Sequence, residues 1–324
     1  MNTIGENSKI NTYSVSNENT VVASNAKTEN KVGLDDTAAI LSLSEEAFGD
    51  GVVTVKSTAA VRSASYSEII AAQNQLRTLG FYSGGNTGYI STDMATSITH
   101  FQKVYGLAET GTLNTTTLNK LSAAYNDYNE IYTSDAMQTL ASSLYHQGNQ
   151  SDTFAKVYTF LKNSMGLNTA QIAGVMGNMH AESGIIADNA NNNYYPGEHN
   201  PEYAAVYDKE DNIAFGLIQW YDHSRKEGLL NMAKEMCGQT NATTITSEIA
   251  DALNDVNVQL AYFRKEMTQV SPYKEAWQQI KNTYSYASVS DVFLEEIEKP
   301  TNCSELYEER RQISATIYNA LLTL

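Results

Sequence analysis

The stretch that leaves this chain least freedom is QIAGVMGNMHAESGII, residues 171–186. Ile172, Val175, Met176, Met179, Ile185 and Ile186 are apolar, and Gly174 and Gly177 allow another helix to approach closely. Thr169 or Asn168 is a plausible N-cap. The segment therefore reads as a buried helix that ends on a carboxylate, Glu182. Partial burial without a cation disfavours an ionised carboxylate, and so does the negative end of a helix dipole. Both are expected to push Glu182 towards the protonated state that a general acid needs. A second signature follows at 215–220, FGLIQW. It reads as a short, glycine-started β-hairpin presenting Gln219 and Trp220. Gln219 is placed to orient an acetamido group or the carboxylate, and Trp220 either stacks on a ring or fills the core. Between the two lies a long polar loop, 183–211, with NANNNYYPGEHNP at its centre. Long structureless loops within a domain are usually functional.

Length and composition narrow the partners. The 324 residues suffice for one large domain or two to three ordinary ones. Net charge is −16, and most of the acidic excess follows residue 124, where 26 Asp and Glu face 13 Lys and Arg. Phosphate contacts need clusters of Lys and Arg, so nucleic acid is not an expected partner. No run reaches 18 apolar residues, so no membrane span is expected. The opening MNTIGENSKINTYSVSNENT has no apolar h-region, and we expect no secretory signal. Cys237 and Cys303 have neither metal nor scaffold spacing; a single bridge and two free thiols are both open. No metal or other cofactor is implied. Tyr is frequent, at 21 against 8 Phe and 2 Trp. Its apolar ring and polar tip suit a groove that stacks on sugars or peptides, and equally suit a core with wet edges.

In order, residues 1–65 are a polar leader, expected to be disordered or partly helical because they bury too little apolar surface to offset ordering entropy. Residues 66–124 form a compact unit. Ile69, Ile70, Gln73, Leu76 and Leu79 share a helical face that Gly80 stops. Ala95, Ile98, Phe101, Gln102 and Tyr105 share another, stopped by Gly106. Leu113, Leu118 and Leu121 mark a third short helix capped by Asn114 or Thr115. Residues 125–151 read as a linker helix. Residues 152–324 read as a larger, mostly helical domain, including one long helix over 244–268 and a last helix running nearly to the C-terminus. The expected class is thus mainly α: a small three-helix domain plus a larger helical domain with a short β-hairpin.

LGFYSGG (79–85), TGYIS (87–91), ITHFQKVYGL (98–107) and TGTLNTTTLNKL (110–121) together resemble a peptidoglycan-binding domain of the three-helix type. Thr87-Gly88 and Thr110-Gly111 stand where that family usually has Asp-Gly. Groove candidates are Tyr82, Tyr89, Phe101 and Tyr105, with Phe101 more readily a core residue. FLKNSMGL (160–167), AGVMGNMHAESGI (173–185), FGLIQWYDHSR (215–225), NVQLAYFRKEM (257–267) and LEEIEKP with ERRQISATIY (294–318) resemble the lysozyme superfamily, most closely the phage-tail lysozyme group. Ile297-Glu298-Lys299-Pro300 replaces that group's aromatic-Glu-Arg-Pro run, and lysine lacks arginine's bidentate fork. LDDTAAILSLSEEA (34–47) faintly resembles segments at the edges of flagellar proteins, which implies a phage-tail or flagellar partner for the leader.

The resemblance implies a peptidoglycan hydrolase cleaving the β-1,4 bond between N-acetylmuramate and N-acetylglucosamine, with Glu182 as the acid. Such chemistry needs a second carboxylate about 6.5–9.5 Å away for inversion or about 5–5.5 Å for retention. Asp188 and Asp222 lead the candidates, ahead of Asp208, Glu210 and Asp211. If none reaches, the muramate C6 hydroxyl attacks instead and the enzyme is a lytic transglycosylase. Ser183, Gln219, Trp220, Tyr194, Tyr195, Tyr82 and Tyr89 are the candidate substrate contacts. His180 lies two residues before the acid and points off its face, so it reads as structural. The implied place of action is the bacterial cell wall, reached by phage lysis, on a tail-like particle, or by a non-classical or flagellar-type route. A non-catalytic wall-binding component of such a particle is the competing reading.

Overall fold

The computed structural model describes residues 12–15, 20–24, 55–56, 64–144, 151–190 and 199–324. The chain divides into two compact units, 1–65 and 66–324. In the first, β1 (Thr12–Val15), β2 (Thr20–Ser24) and β3 (Val55–Lys56) pair antiparallel in that order, with Tyr13 opposite Ala23 and Val21 opposite Val55. The segment 34–47 lies outside the described residues.

The second unit opens with α1 (Tyr66–Thr78), α2 (Thr92–Val104) and α3 (Thr115–Thr133). Gly80 and Gly106 end the first two helices in left-handed conformation, where a side chain would be strained. Two buried glutamines fix the turns that follow. Gln73 Oε1 accepts from the amides of Thr87 (2.9 Å) and Gly88 (3.1 Å). Gln102 Oε1 accepts from those of Thr110 (2.8 Å) and Gly111 (2.9 Å). Each Thr-Gly turn thus hangs from the helix before it. Phe101 stacks on Tyr105 at 4.4 Å and meets Phe81 edge-on at 5.5 Å. Asn114 caps α3, which is longer than the sequence suggested and runs on through Tyr128 and Ile131.

After α4 (Asp135–Leu144) come α5 (Ser151–Asn163), α6 (Thr169–Ser183), α7 (His223–Met236), α8 (Ser247–Asn254), α9 (Val256–Gln269), α10 (Tyr273–Lys281), α11 (Tyr286–Phe293) and α12 (Cys303–Leu321). The single helix expected over 244–268 is two, because Asp255 breaks it and caps α9 by accepting from the amides of Asn257 and Val258. Helix α6 is the hub. Asn168 and Gln171 form its capping box, and Gly184 ends it in left-handed conformation. Helices α11 and α12 pack along it. A β-carbon on Gly174 would lie 2.6–2.7 Å from Val289 and the Tyr286 carbonyl, and one on Gly177 would lie 2.0–2.9 Å from Ser314. The glycines therefore set how close both neighbours come. Lys103–Glu235 (2.8 Å) and Asn257 Nδ2 to the Leu79 carbonyl (3.0 Å) tie the small N-terminal helices to the rest. Cys237 and Cys303 are unpaired. Among the described residues no helix is long and apolar enough to cross a membrane.

The expected β-hairpin is absent. From residue 64 onward no described residue lies in a strand. FGLIQW makes only isolated bridges, Phe215 to Ala190 and Phe215 to Trp220. Gly216 (φ 83°) and Gln219 (φ 51°) are both left-handed, so the chain reverses at once. The polar backbone of Leu217 is met by side chains instead of a partner strand: Gln259 Oε1 accepts from its amide (2.9 Å), and Ser183 Oγ donates to its carbonyl (2.8 Å).

Candidate active site

The C-terminal end of α6, the 216–219 turn, the start of α7 and the turn after α11 surround a cavity of about 570 Å³. Glu182, Gln219, Asp222, Tyr273, Glu298 and Lys299 all line it. Helix α6 delivers Glu182 with its side chain 23% exposed. Contrary to the expectation from sequence, a cation faces this carboxylate. Arg310 Nη2, on α12, donates a hydrogen bond to Glu182 Oε1. The antiparallel course of the two helices explains the meeting. Gly177 sits against Ser314, so Glu182, further along α6, reaches the residue one turn earlier on α12.

Arg310 serves a second carboxylate. Glu298 closes a π-helical turn, Leu294–Glu298, that extends α11 and ends at left-handed Lys299 (φ 55°). Such turns widen the helix and re-aim a side chain, often at functional sites. Here the Glu298 side chain is 4% exposed, and its Oε2 lies 3.3 Å from Arg310 Nη2. Neither Glu298 oxygen has a hydrogen-bond donor in good geometry. Burial first, and the charge of Glu182 second, push the Glu298 carboxyl well above the ordinary carboxylate range, against the pull of Arg310 and Arg225.

The other sequence candidates separate cleanly. Asp222 lines the cavity, exposed at the N-cap of α7, and its carboxylate makes no capping bond. Asp188 does not line it and instead pairs with His199 Nδ1 at 2.9 Å. Asp208 accepts from the Glu210 amide, Glu210 meets Lys209, and Asp211 pairs with fully buried Lys226. Gln219 lines the cavity; its Nε2 donates to the carbonyls of Asn189 (3.2 Å) and Gly216 (3.1 Å). Trp220 does not face the cavity. It is fully buried, with Nε1 donating to Glu266 Oε2 at 3.2 Å, and so belongs to the core. Among the described residues the aromatic side chains that line the cavity are Tyr221 and Tyr273. Arg225 stacks its guanidinium 4.5 Å from the Tyr273 ring centre and forms a bidentate pair with Glu266. Ser183 is buried and serves as the clamp on Leu217 already described. Tyr194 and Tyr195 lie outside the described residues. His180 Nε2 lies 3.0 Å from the Leu144 carbonyl, off the cavity. In the N-terminal helices Tyr89 is 61% exposed and Tyr82 is half-buried beside Arg77, whereas Phe101 and Tyr105 are core.

Sequence reasoning missed Glu298 and Arg310 as site residues. A signal for Arg310 existed. Arg310, Ser314, Ile317 and Leu321 recur at helical spacing, which places the arginine on the buried stripe of α12.

Two family models match the chain. The phage tail lysozyme model matches residues 152–321, just over half of its length, and the peptidoglycan binding domain model matches residues 65–121. Comparison with curated proteins and with solved structures gave no match.

Proposed function

Because the chain belongs to the phage tail lysozyme family and carries a peptidoglycan binding domain ahead of that region, we propose that it is a muramidase. It cleaves the β-1,4 bond between N-acetylmuramate and N-acetylglucosamine in bacterial cell walls. The observation that carries this reading is the convergence of Glu182, Gln219 and Asp222 on one cavity.

Glu182 acts as general acid. It gives its proton to the glycosidic oxygen as the bond to C1 of muramate breaks, and the electron pair leaves with that oxygen. C1 passes through an oxocarbenium-like state. Asp222 is the second carboxylate, because it alone of the five aspartate and glutamate candidates lines the same cavity. It activates water or attacks C1 directly; either way water supplies the hydroxyl that ends on C1. Gln219, held by its amide nitrogen, keeps Oε1 for the substrate's acetamido N–H. Exposed Tyr221 offers a ring face to a sugar. Tyr89 and Tyr82 contribute to holding the wall polymer at the N-terminal helices.

The test is mass spectrometry of muropeptides released from purified peptidoglycan by wild type, Glu182→Gln and Asp222→Asn. Reducing N-acetylmuramate ends that vanish in Glu182→Gln are the expected result. Removing a general acid lowers the rate about 10²–10⁴-fold. Anhydromuramate ends, undiminished in Asp222→Asn, identify a lytic transglycosylase in which the C6 hydroxyl attacks. Wall binding with no Glu182-dependent product leaves a non-catalytic wall-binding component.

A further inference from the structure

The cavity holds one more carboxyl than general-acid chemistry at Glu182 and a water-activating Asp222 require. Glu298 and Glu182 converge on a single nitrogen, Arg310 Nη2, which donates to Glu182 Oε1 and lies 3.3 Å from Glu298 Oε2. The Glu298 oxygens are buried and no donor reaches them in good geometry. Two carboxylates so placed repel, and they become a hydrogen-bonded pair when one of them carries a proton. One guanidinium, Arg310, faces both. The local charge therefore balances with a single negative charge on the pair.

We infer that Glu298 is a positioning residue for Glu182, sharing one proton with it beside Arg310 and so keeping the acid charged with a proton in the cleft. This rests on the reading of Glu182 as general acid. When the glycosidic oxygen takes the proton from Glu182, that carboxyl becomes the anion. The pair is then briefly without a proton beside one arginine; it regains one directly from water when a glycosyl-Asp222 intermediate is hydrolysed, or through solvent when Asp222 has taken the proton of the attacking water. No other reactant enters. The groups facing Glu298 support the assignment. Glu182 comes from α6, Arg310 from α12, Arg225 from α7 and Tyr273 from α10, with Lys299 next in the chain. Arg225 is already neutralised by Glu266, and Glu295 on the same turn is engaged by Tyr307. Among the described residues Arg310 is the cation that meets both carboxyls. Burial and the mutual repulsion of the two carboxylates both favour keeping one proton on the pair.

The experiment compares the pH dependence of kcat for muropeptide release by the full chain in wild type, Glu182→Gln and Glu298→Gln. Glutamine keeps the shape and can still donate to Glu182, but it cannot share a proton. Glu298→Gln is expected to retain the wild-type product and its rate on the acid side, while its alkaline limb moves at least one pH unit lower. That costs about tenfold in rate where wild type is still fully active. A uniform loss at every pH, or an unmoved limb, overturns the inference while an inactive Glu182→Gln leaves the muramidase reading standing. A Glu182→Gln variant as active as wild type removes both. If Glu298→Gln does not fold, the readout is a carbon-13 NMR titration of glutamate carboxyls in the wild-type protein. One carboxyl titrating clearly above the others is expected, and titration of all of them in the ordinary carboxylate range overturns the proposal.

Discussion

Gly177→Ala tests the spacing on which the site depends. Alanine in the middle of an exposed helix would add about 1 kcal/mol of helix propensity over glycine. At this position the new β-carbon would lie 2.0 Å from Ser314 Oγ and 2.9 Å from both the Cα and the amide nitrogen of Ser314. The hydroxyl can rotate away, but the backbone of α12 cannot. Ordinary contact between carbon atoms is about 3.5–4.0 Å, so α12 must retreat by roughly 1 Å. Overpacking of this kind costs about 1–3 kcal/mol, which matches or exceeds the propensity gain. We expect a net loss of up to about 2 kcal/mol, read as a lower urea midpoint at unchanged m. The retreat also draws Arg310, one turn from Ser314, away from Glu182. A misplacement near 1 Å can cost about 10²-fold in rate, so muropeptide release should fall far more than stability does. Gly85→Ala is the control, since nothing lies within 4 Å of its β-carbon, and it should match wild type. A Gly177→Ala protein that is more stable than wild type and fully active would refute the argument that α6 and α12 meet through this glycine.

Glu266→Gln removes the carboxylate that neutralises Arg225 and accepts from Trp220. Both charged side chains are under a tenth exposed, and breaking such a pair costs about 3–5 kcal/mol; thermal unfolding should show it. Glu298→Gln should change the pH dependence of stability even without substrate. A carboxyl whose folded pKa is raised favours the fold below its unfolded value of about 4.3, and that contribution is lost as pH rises through the folded value. The variant should therefore gain on wild type from about pH 4.3 upward, and parallel stability curves would contradict this. Tyr89→Ala, at a 61% exposed ring, should weaken co-sedimentation with insoluble peptidoglycan while leaving the urea midpoint within about 0.5 kcal/mol.

The helical architecture was legible because its signals are local. The period of Ile69, Gln73 and Leu76, the stops at Gly80 and Gly106, and the caps at Asn114 and Asn168 each act within a turn or two of where they are read. The position of Glu182, at the polar end of an apolar helix, was legible for the same reason. What failed depended on contacts between distant residues. FGLIQW has the composition of a strand, yet its backbone is satisfied by Ser183 and Gln259, the latter 42 residues from Leu217. Trp220 turns inward because Glu266 waits there for its indole N–H. A π turn cannot be read from periodicity at all, since its extra residue breaks the very period that reveals helices. Glu298 accordingly looked like one more surface acid in the run LEEIEK.

Arg310 carries the last step. A guanidinium on the buried stripe of a helix is costly unless a carboxylate meets it. Its place on α12 therefore implies a facing carboxylate, and Glu182 supplies one from the end of α6. Stability alone would stop there, because one anion neutralises one cation. Glu298 adds a second buried carboxyl to the same arginine, and this lowers stability at any pH where it must ionise. Folding gives no reason for that surplus. The proposed proton transfer does, because a pair sharing one proton would keep an acid in the cleft at a pH where a lone carboxyl beside arginine loses it.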